Sequence, residues 1–392
     1  MTSKIDHPLV AEARAFANEV LRPRAGEFDE RACVPRDVLQ AMADEGFLGS
    51  ILPTEYGGGG LDPLSYGLLT AEIGKGCGST RALLTVHSSL VGETLVRLGT
   101  PEQKQKWLPE LASGRKLACF ALTEPDIGSD ATSVKTSYRF VDGGFVLNGS
   151  KKWITYGAIA DLFLVFANCE GVSSAFLVER GMEGVSTRAM SGLLASRGAH
   201  IAEVDFLNVM IPQNCLVGRL GAGFSFVANT ALFYGRYSIA WAGVSLAEAA
   251  LEEMVTYART REQFGKKLRQ HQLIQALIAD AVTGVHTSRA ICERVGLMRN
   301  DNDDDAVNEA NIAKYMSSKV AMEIATNAVQ LFGGNGISSQ YPVERLFREA
   351  KILEIIEGSS QIQQQLISDY GVRRYRLEPR NNRGAFTQNT LG

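Results

Sequence analysis

The sequence predicts an α+β chain, mainly α, with a helical N-terminal domain, a central antiparallel β-domain and a C-terminal four-helix bundle. Three textures carry that reading. Residues 1–118 repeat apolar side chains at three- and four-residue spacing, 119–225 break into short alternating runs, and 226–380 return to longer helical periods. Residues 381–392 read as a frayed tail.

In the first region, "LVAEARAFANEVLRPRAGEF", "RDVLQAMADEGFLGSIL" and "PLSYGLLTAEIGKG" each place an apolar stripe on one helix face. Gly57 to Gly60 mark a loop, and Pro101 suits the first turn of a helix holding Trp107 and Leu108. In the second, "SYRFVDGGFVLNGSKKWIT" carries hairpin signals at Asp142-Gly143-Gly144 and at Asn148-Gly149. "DLFLVFANC", "SAFLVER" and "AEVDFLNVMIP" add strands. In the third, "GVSLAEAALEEMVTYARTREQF", "HQLIQALIADAVTGVHTSRAICERVGLMRN" and "AVNEANIAKYMSSKVAMEIATNAVQLFGG" sustain the helical period, as an up-and-down bundle requires. "DNDDD" at 301–305 reads as a solvated loop between two of them.

Composition narrows the function. The 392 residues are 45% hydrophobic and 21% charged, with net charge −3 and pI near 6.1, so nothing global draws the chain to nucleic acid or to an anionic membrane. Six scattered cysteines without a CxxC pair suit a reduced compartment, and no run reaches transmembrane length, so a cytoplasmic location is expected. The five histidines show no HxxxH or HExxH spacing, so no metal site is expected. GxSxG, Walker A and strand–GxGxxG–helix patterns are absent, which removes the common hydrolase and nucleotide-fold dehydrogenase scaffolds.

Five segments carry chemistry. "CFALTEPDIGSDATS" (119–133) mixes hydroxyls, carboxylates and a tight turn able to hydrogen-bond a planar polar ring or a pyrophosphate; a capped turn is the bland alternative. "NGSKKWITYGAIAD" (148–161) sets Trp153 and Thr155 on one side of a strand, although a lone tryptophan is more often core. "ARTREQFGKKL" (258–268) breaks a long helix with Arg261 and Phe264 facing the same way, a phosphate grip or a surface salt bridge. "QLFGGNGISSQYPVERLFREAK" (330–351) places Gly333 and Gly334 after a helix, for close backbone approach or for capping.

The fifth, "REAKILEIIEGSSQIQQQL" (348–366), holds the anomaly. Arg348, Glu349, Lys351 and Glu354 read as helix-surface charges, but Glu357 continues the stripe of Leu346, Ala350 and Leu353, where an unpaired carboxylate is costly. Gly358 ends that helix, and Ser360 with Gln363 spells a capping box for the next.

In family order, TEPxxGSD, KxWIT, RxxFG, QxFGGxG and EGSSQIQ resemble the acyl-CoA dehydrogenases, from the N-terminal helices to Gln363. The resemblance implies FAD held between the domains of a homotetramer or dimer, each flavin completed by the neighbouring subunit. It implies that Phe120, Leu122, Thr123, Ser129, Trp153 and Thr155 surround the flavin, with the Thr155 hydroxyl near N5. Arg261, Phe264, Gln330 and Gly334 would reach the partner's FAD, and Ser359 and Gln361 would contribute to the pyrophosphate or adenosine end of the cofactor. Glu357 matches the base that removes an α-proton while the β-hydrogen leaves as hydride to the flavin; burial raises a carboxyl pKa as that role needs. Its backbone N–H would polarise the thioester carbonyl. Some relatives carry the base immediately before an arginine on an earlier helix; here Gly235 precedes Arg236, and the resemblance counts Arg236 with Glu357 as catalytic.

"LFYGRYSIAW" and "AKILEIIEGSS" look most like members that act on short acyl groups carried by acyl carrier protein, making hydroxymalonyl- or aminomalonyl-type extender units of polyketide or nonribosomal pathways. Gly198-Ala199-His200 stands where many CoA-using relatives have a hydroxyl residue. The alternatives are a short- or branched-chain acyl-CoA dehydrogenase, a monooxygenase or nitroalkane oxidase on the same scaffold, and a non-catalytic FAD-binding assembly protein. An electron-transfer flavoprotein is the expected acceptor.

Overall fold

In the computed structural model, residues 7–376 are described; the expected tail at 381–392 and the end of the third region fall outside them. The N-terminal part holds α1 (Pro8–Phe16), α2 (Ala25–Glu30), α3 (Arg36–Asp44), α4 (Pro63–Gly76), α5 (Gly78–Leu83), α6 (Thr94–Leu98) and α7 (Pro101–Ala112). Between α5 and α6 the chain continues helically through wider π-type turns over Leu84–Glu93, a form that often accompanies function. As expected, Pro101 opens α7, where Thr100 and Gln103 form a capping box and Trp107 and Leu108 are buried.

The central sheet comprises β1 (Ala118–Ala121), β2 (Ser137–Val141), β3 (Gly144–Ile154), β4 (Leu162–Cys169), β5 (Val172–Glu179), β6 (Val185–Ala189), β7 (Ala202–Pro212) and β8 (Leu216–Val217). Its order is β6-β7-β3-β2-β4-β5-β8, mostly antiparallel, with β1 parallel to β4. Phe163, Phe166 and Phe176 are fully buried in it, each contributing about 1.5–3 kcal/mol of burial free energy.

The two hairpin signals part company. Asp142-Gly143 makes the tight β2–β3 turn, with Gly143 at φ +79°. Asn148-Gly149 makes no turn, because β3 runs straight through it. Asn148 instead exchanges side-chain bonds with Asn208, where β7 carries an extra residue. Gly149, at φ +146°, is needed where Thr136 Cα would lie 2.6 Å from an added Cβ.

C-terminally, α8 (Asn229–Thr260), α9 (Gln272–Asn300), α10 (Ala306–Phe332) and α12 (Ser360–Arg374) form the bundle, with α11 (Val343–Leu353) packed on it; "DNDDD" is the α9–α10 turn. The long helix does not extend to Phe264. It stops at Thr260, and 262–267 form a small hairpin of β9 (Glu262–Gln263) and β10 (Lys266–Lys267), because Gly265 and Phe264 both take left-handed backbone, at φ +73° and +52°.

The parts are stapled together by residues whose packing role the sequence did not reveal. His200 packs at a tilt against Tyr156 and bonds the Val34 carbonyl, while Val34 N–H donates to the Gly198 carbonyl and Tyr156 N–H to the Ala199 carbonyl. The Gly198-Ala199-His200 segment therefore clamps the sheet to the N-terminal helices. Arg348 and Glu349 are not surface charges. Arg348 bonds Asp29 and Glu344, and Glu349, buried, accepts from Ser196 N–H at 3.0 Å.

Candidate active site

Glu357 sits in the turn between α11 and α12. Leu346, Ala350 and Leu353 are buried as expected, but the helix stops at Leu353 and Glu357 leaves their stripe with φ +54°. A left-handed glutamate is an uncommon conformation that its surroundings must hold. Gly358 follows at φ +91°, and Ser360 N–H closes the loop onto the Glu354 carbonyl at 2.8 Å. The next helix is capped differently from the expected Ser360–Gln363 box. Ser359 is the N-cap, accepting from Ile362 N–H, because Gln363 is fully buried and its amide donates to the Glu357 and Gly358 carbonyls at 3.2 Å each.

Two buried cations reach the same turn from neighbouring helices. Arg236 of α8 donates to the Glu357 carbonyl at 3.2 Å and to Asn311 Oδ1 at 3.1 Å. Lys314 of α10, 0% exposed, donates to the Gly358 carbonyl at 2.8 Å. Neither touches the Glu357 carboxylate, which lies against α8: a Cβ built on Gly235 would be 2.9 Å from Glu357 Oε2 and 2.6 Å from Leu90 Cδ2. Glycine at 235 is thus the space the carboxylate occupies. Burial pushes the Glu357 pKa up to about 7, only partly offset by Arg236 and Lys314. The Glu357 N–H donates to no acceptor among the described residues. Gly235, Arg236 and Gln363 stand out in the sequence, Gln363 only as a capping residue; Lys314, Asn311 and Leu90 do not.

On the sheet side, Phe120 and Thr123 are half-buried and Ser129 is exposed in the loop after β1. Leu122 is buried in the core, so its backbone is what it offers a ligand. The loop is anchored by two motif residues, Glu124 and Lys151, to which the sequence alone attached no role. Glu124 accepts from the Lys135 and Thr136 N–H groups and from Lys151 Nζ at 2.8 Å, and Lys151 also donates to the Leu122 carbonyl. Trp153 and Thr155 do not share a regular strand. Two residues of β3, 152 and 153, oppose one of β7, and this bulge throws Trp153 outward at φ +63°, half exposed at 51%; Thr155 follows in the turn after the strand. A bulge that turns a tryptophan face out of a strand is not a core position.

Arg261, Phe264, Gln330 and Gly334 gather elsewhere. Gly235 and Arg261 are 26 residues apart on and just past one straight helix, about 39 Å at 1.5 Å per residue, so these four do not meet Glu357 within one chain. Phe264 is 95% exposed at the hairpin tip, Gln330 and Gly334 are exposed, and Tyr257 stacked on Phe332 (centroids 4.0 Å apart) supports the glycine turn. Ser359 is half-buried and Gln361 exposed at the start of α12.

Comparison with known proteins agrees over most of the chain. Sequence profiles of the acyl-CoA dehydrogenase N-terminal, middle and C-terminal domains match residues 6–115, 119–209 and 221–370. A short-chain-specific acyl-CoA dehydrogenase of Clostridium acetobutylicum is 36% identical over 360 residues, covering 91% of this chain and 94% of that one. Among solved structures, a chain from work on the electron transferring flavoprotein of Acidaminococcus fermentans superposes with TM-score 0.92 at 35% identity, covering 95% and 99% of the two chains. FkbI, described as serving biosynthesis of the methoxymalonyl extender unit of the polyketide FK520, superposes with TM-score 0.85 at 31% identity, covering 93% and 99%.

Proposed function

The chain belongs to the acyl-CoA dehydrogenase family, an FAD-dependent family of oxidoreductases acting on acyl thioesters, and from that premise we propose that Glu357 is its catalytic base, acting on a short acyl group carried by acyl carrier protein. One observation carries the base assignment: a recessed carboxylate poised near neutral pH faces α8 at Gly235, beside an unused backbone N–H. A base working near pH 7 needs that pKa. A thioester carbonyl accepting from the Glu357 N–H becomes more polarised, and its α-hydrogen more acidic, next to the carboxylate that removes it.

The residues present fit FAD. Trp153, turned out by the bulge, offers a planar apolar face, and Thr123, Ser129 and Thr155 offer hydroxyls around it. When bound, FAD supplies the acceptor for the β-hydrogen as hydride. The protein's share is to orient the acyl group, exclude water around Leu90 and Gly235, and keep the proton on Glu357. Arg236, Lys314 and Gln363 hold the turn by its carbonyls, so the carboxylate stays free.

A homo-oligomer follows from the same reading. Exposed Phe264, Leu273 and Ile337 leave apolar surface near the hairpin and glycine turn for a second subunit to cover, and Arg261, Phe264, Gln330 and Gly334 would complete that subunit's cofactor site. Electrons would pass to an electron-transfer flavoprotein.

The likeness to FkbI and the "LFYGRYSIAW" and "AKILEIIEGSS" segments favour carrier protein and an extender unit of the hydroxymalonyl or aminomalonyl type. The 36% identity to a short-chain acyl-CoA dehydrogenase favours CoA as the second reading. Anaerobic titration of the yellow protein with one acyl group on each carrier decides between them. Bleaching by the acyl carrier protein form alone is expected; equal or better bleaching by the CoA form would transfer the assignment to CoA.

A further inference from the structure

Two basic side chains stand unanswered on one stretch of surface. Arg97, in the last turn of α6, and Arg219, in the loop after β8, are exposed and make no ion pair or side-chain hydrogen bond among the described residues. Glu93, the nearest carboxylate in sequence on Arg97's own helical run, is taken by Arg299. With Leu98 and Phe226, the two arginines line a hollow of about 790 Å³. Phe226 is half exposed, and Leu220 and Val172 extend apolar surface beyond the hollow. Val172 stands beside Gly221, where an added Cβ would lie 3.4 Å from its Cγ1. Exposed apolar groups gathered with unpaired arginines have the composition of an interface, and they stand out on a chain of net charge −3.

The hollow lies at one end of a seam that passes Glu357. The helical run through α5 and α6 touches α8 where Leu90 meets Gly235, against the Glu357 carboxylate. It meets that segment again where Arg97 and Leu98 face Ser225 and Phe226, in wider π-type turns (Gly223–Ala228) that lead directly into α8. The two runs are therefore antiparallel. Leu90 to Arg97 is seven residues and Gly235 to Phe226 nine, about 10–13 Å at 1.5 Å per residue. A phosphopantetheine arm with its thioester at Glu357 is long enough to cover that distance. Tyr234, next to Gly235, lies within the field of Arg97.

We propose that this face docks the acidic recognition helix of an acyl carrier protein, with Arg97 and Arg219 meeting its carboxylates and Phe226, Leu220 and Val172 covered by its apolar side chains. This rests on the carrier-protein reading and gives it a place on the surface. The phosphates of a nucleotide would use the two arginines but leave Leu220 and Val172, which lie outside the hollow, uncovered. Opposite charge at the rim steers an encounter and makes it salt-dependent, while the aromatic and aliphatic centre supplies contact area.

The test compares one short acyl group on acyl carrier protein, on CoA and on free pantetheine, with anaerobic stopped-flow reduction of the FAD-loaded protein as readout. Arg97→Glu with Arg219→Glu should raise the apparent Kd of the carrier-protein form by about tenfold or more, leave its limiting rate unchanged and spare the pantetheine form. Phe226→Ser should act in the same direction. In wild type, raising salt from about 0.05 M to about 0.5 M should weaken the carrier-protein form and spare pantetheine, because only the former depends on the exposed arginines. An unchanged Kd for the carrier-protein form, or a larger penalty on the CoA form, would overturn the docking face. So would a loss that pantetheine shares, which would put the arginines in the path of the arm itself. Wild type that bleaches with CoA and not with carrier protein removes the carrier-protein reading, and the docking face with it, before any variant is made. If none of the three bleaches the flavin, the thioester reading itself fails.

Discussion

Two fully buried lysines serve glutamates in this chain, and the two glutamates end in opposite states. In the sheet, Lys151 Nζ touches Glu124 at 2.8 Å; burial alone would raise the Glu124 pKa, but that charge and two backbone N–H groups hold it below the usual range. In the bundle, Lys314 spends its bond on the Gly358 carbonyl, Arg236 spends one on the Glu357 carbonyl, and Glu357 is left at about 7. Burial brings both lysines to about 8. What separates a carboxylate held ionised from one raised toward neutral pH is whether the cation reaches its oxygens or only its backbone.

The hardest way to break that contrast is to remove the bundle's carboxylate. Glu357→Gln should slow substrate bleaching of the flavin by about 10³-fold or more, near the upper range for a general base, while bound FAD stays stoichiometric. Anaerobic stopped-flow absorbance measures the first and the spectrum of purified protein the second. Bleaching at the wild-type rate would take the base role from Glu357.

In the sheet the corresponding change should cost folding, not chemistry. Lys151→Met leaves Glu124 buried without its cation, and denaturant unfolding should show a loss of about 3–5 kcal/mol. Unchanged stability would mean the ion pair is not what secures the loop after β1.

These two glutamates also show what could be read from the sequence. Glu357, Arg236 and Gly235 stood out because a motif places them within a few residues of one another or beside a recognisable neighbour. Lys314 did not, because a lysine in "NIAKYMSSKV" fits a solvated helix face as well as a buried one, and its partner lies 44 residues on. Glu349 and Lys151 escaped for the same reason: long charged side chains are buried only where distant chain segments converge on them. The domain textures were legible because apolar period is local. The Asn148-Gly149 signal misled because the same dipeptide serves a turn or a bulge, and only the length of the paired strand decides.

Lys314→Met tests the bundle more gently. Removing a cation that lowers the Glu357 pKa must raise it, so the ascending limb of kcat/KM against pH, expected near 7, should move to higher pH. A shift of one unit corresponds to about a tenfold loss below the limb. Lys314→Arg keeps the charge and should move the limb less. A purely structural lysine would lower stability and leave the limb in place.

The smallest contrast lies between two glycines. In the sheet, an added Cβ on Gly149 meets the Thr136 backbone at φ +146°, so Gly149→Ala should lower stability and leave the pH profile of whatever folds unchanged. In the bundle, Gly235 has ordinary helical backbone, and the atoms nearest its added Cβ are the movable ends of Leu90 and Glu357. Helix propensity favours alanine there by about 1 kcal/mol, so Gly235→Ala should fold as well as wild type. The carboxylate, however, must retreat by several tenths of an ångström from the place proposed for the acyl group. A fall of about threefold to tenfold in flavin reduction is expected, with melting temperature nearly unchanged, since displacement of a positioned base is felt in rate before stability. Loss of stability without loss of rate would show that Gly235 serves helix packing, and that Glu357 works from elsewhere in its turn.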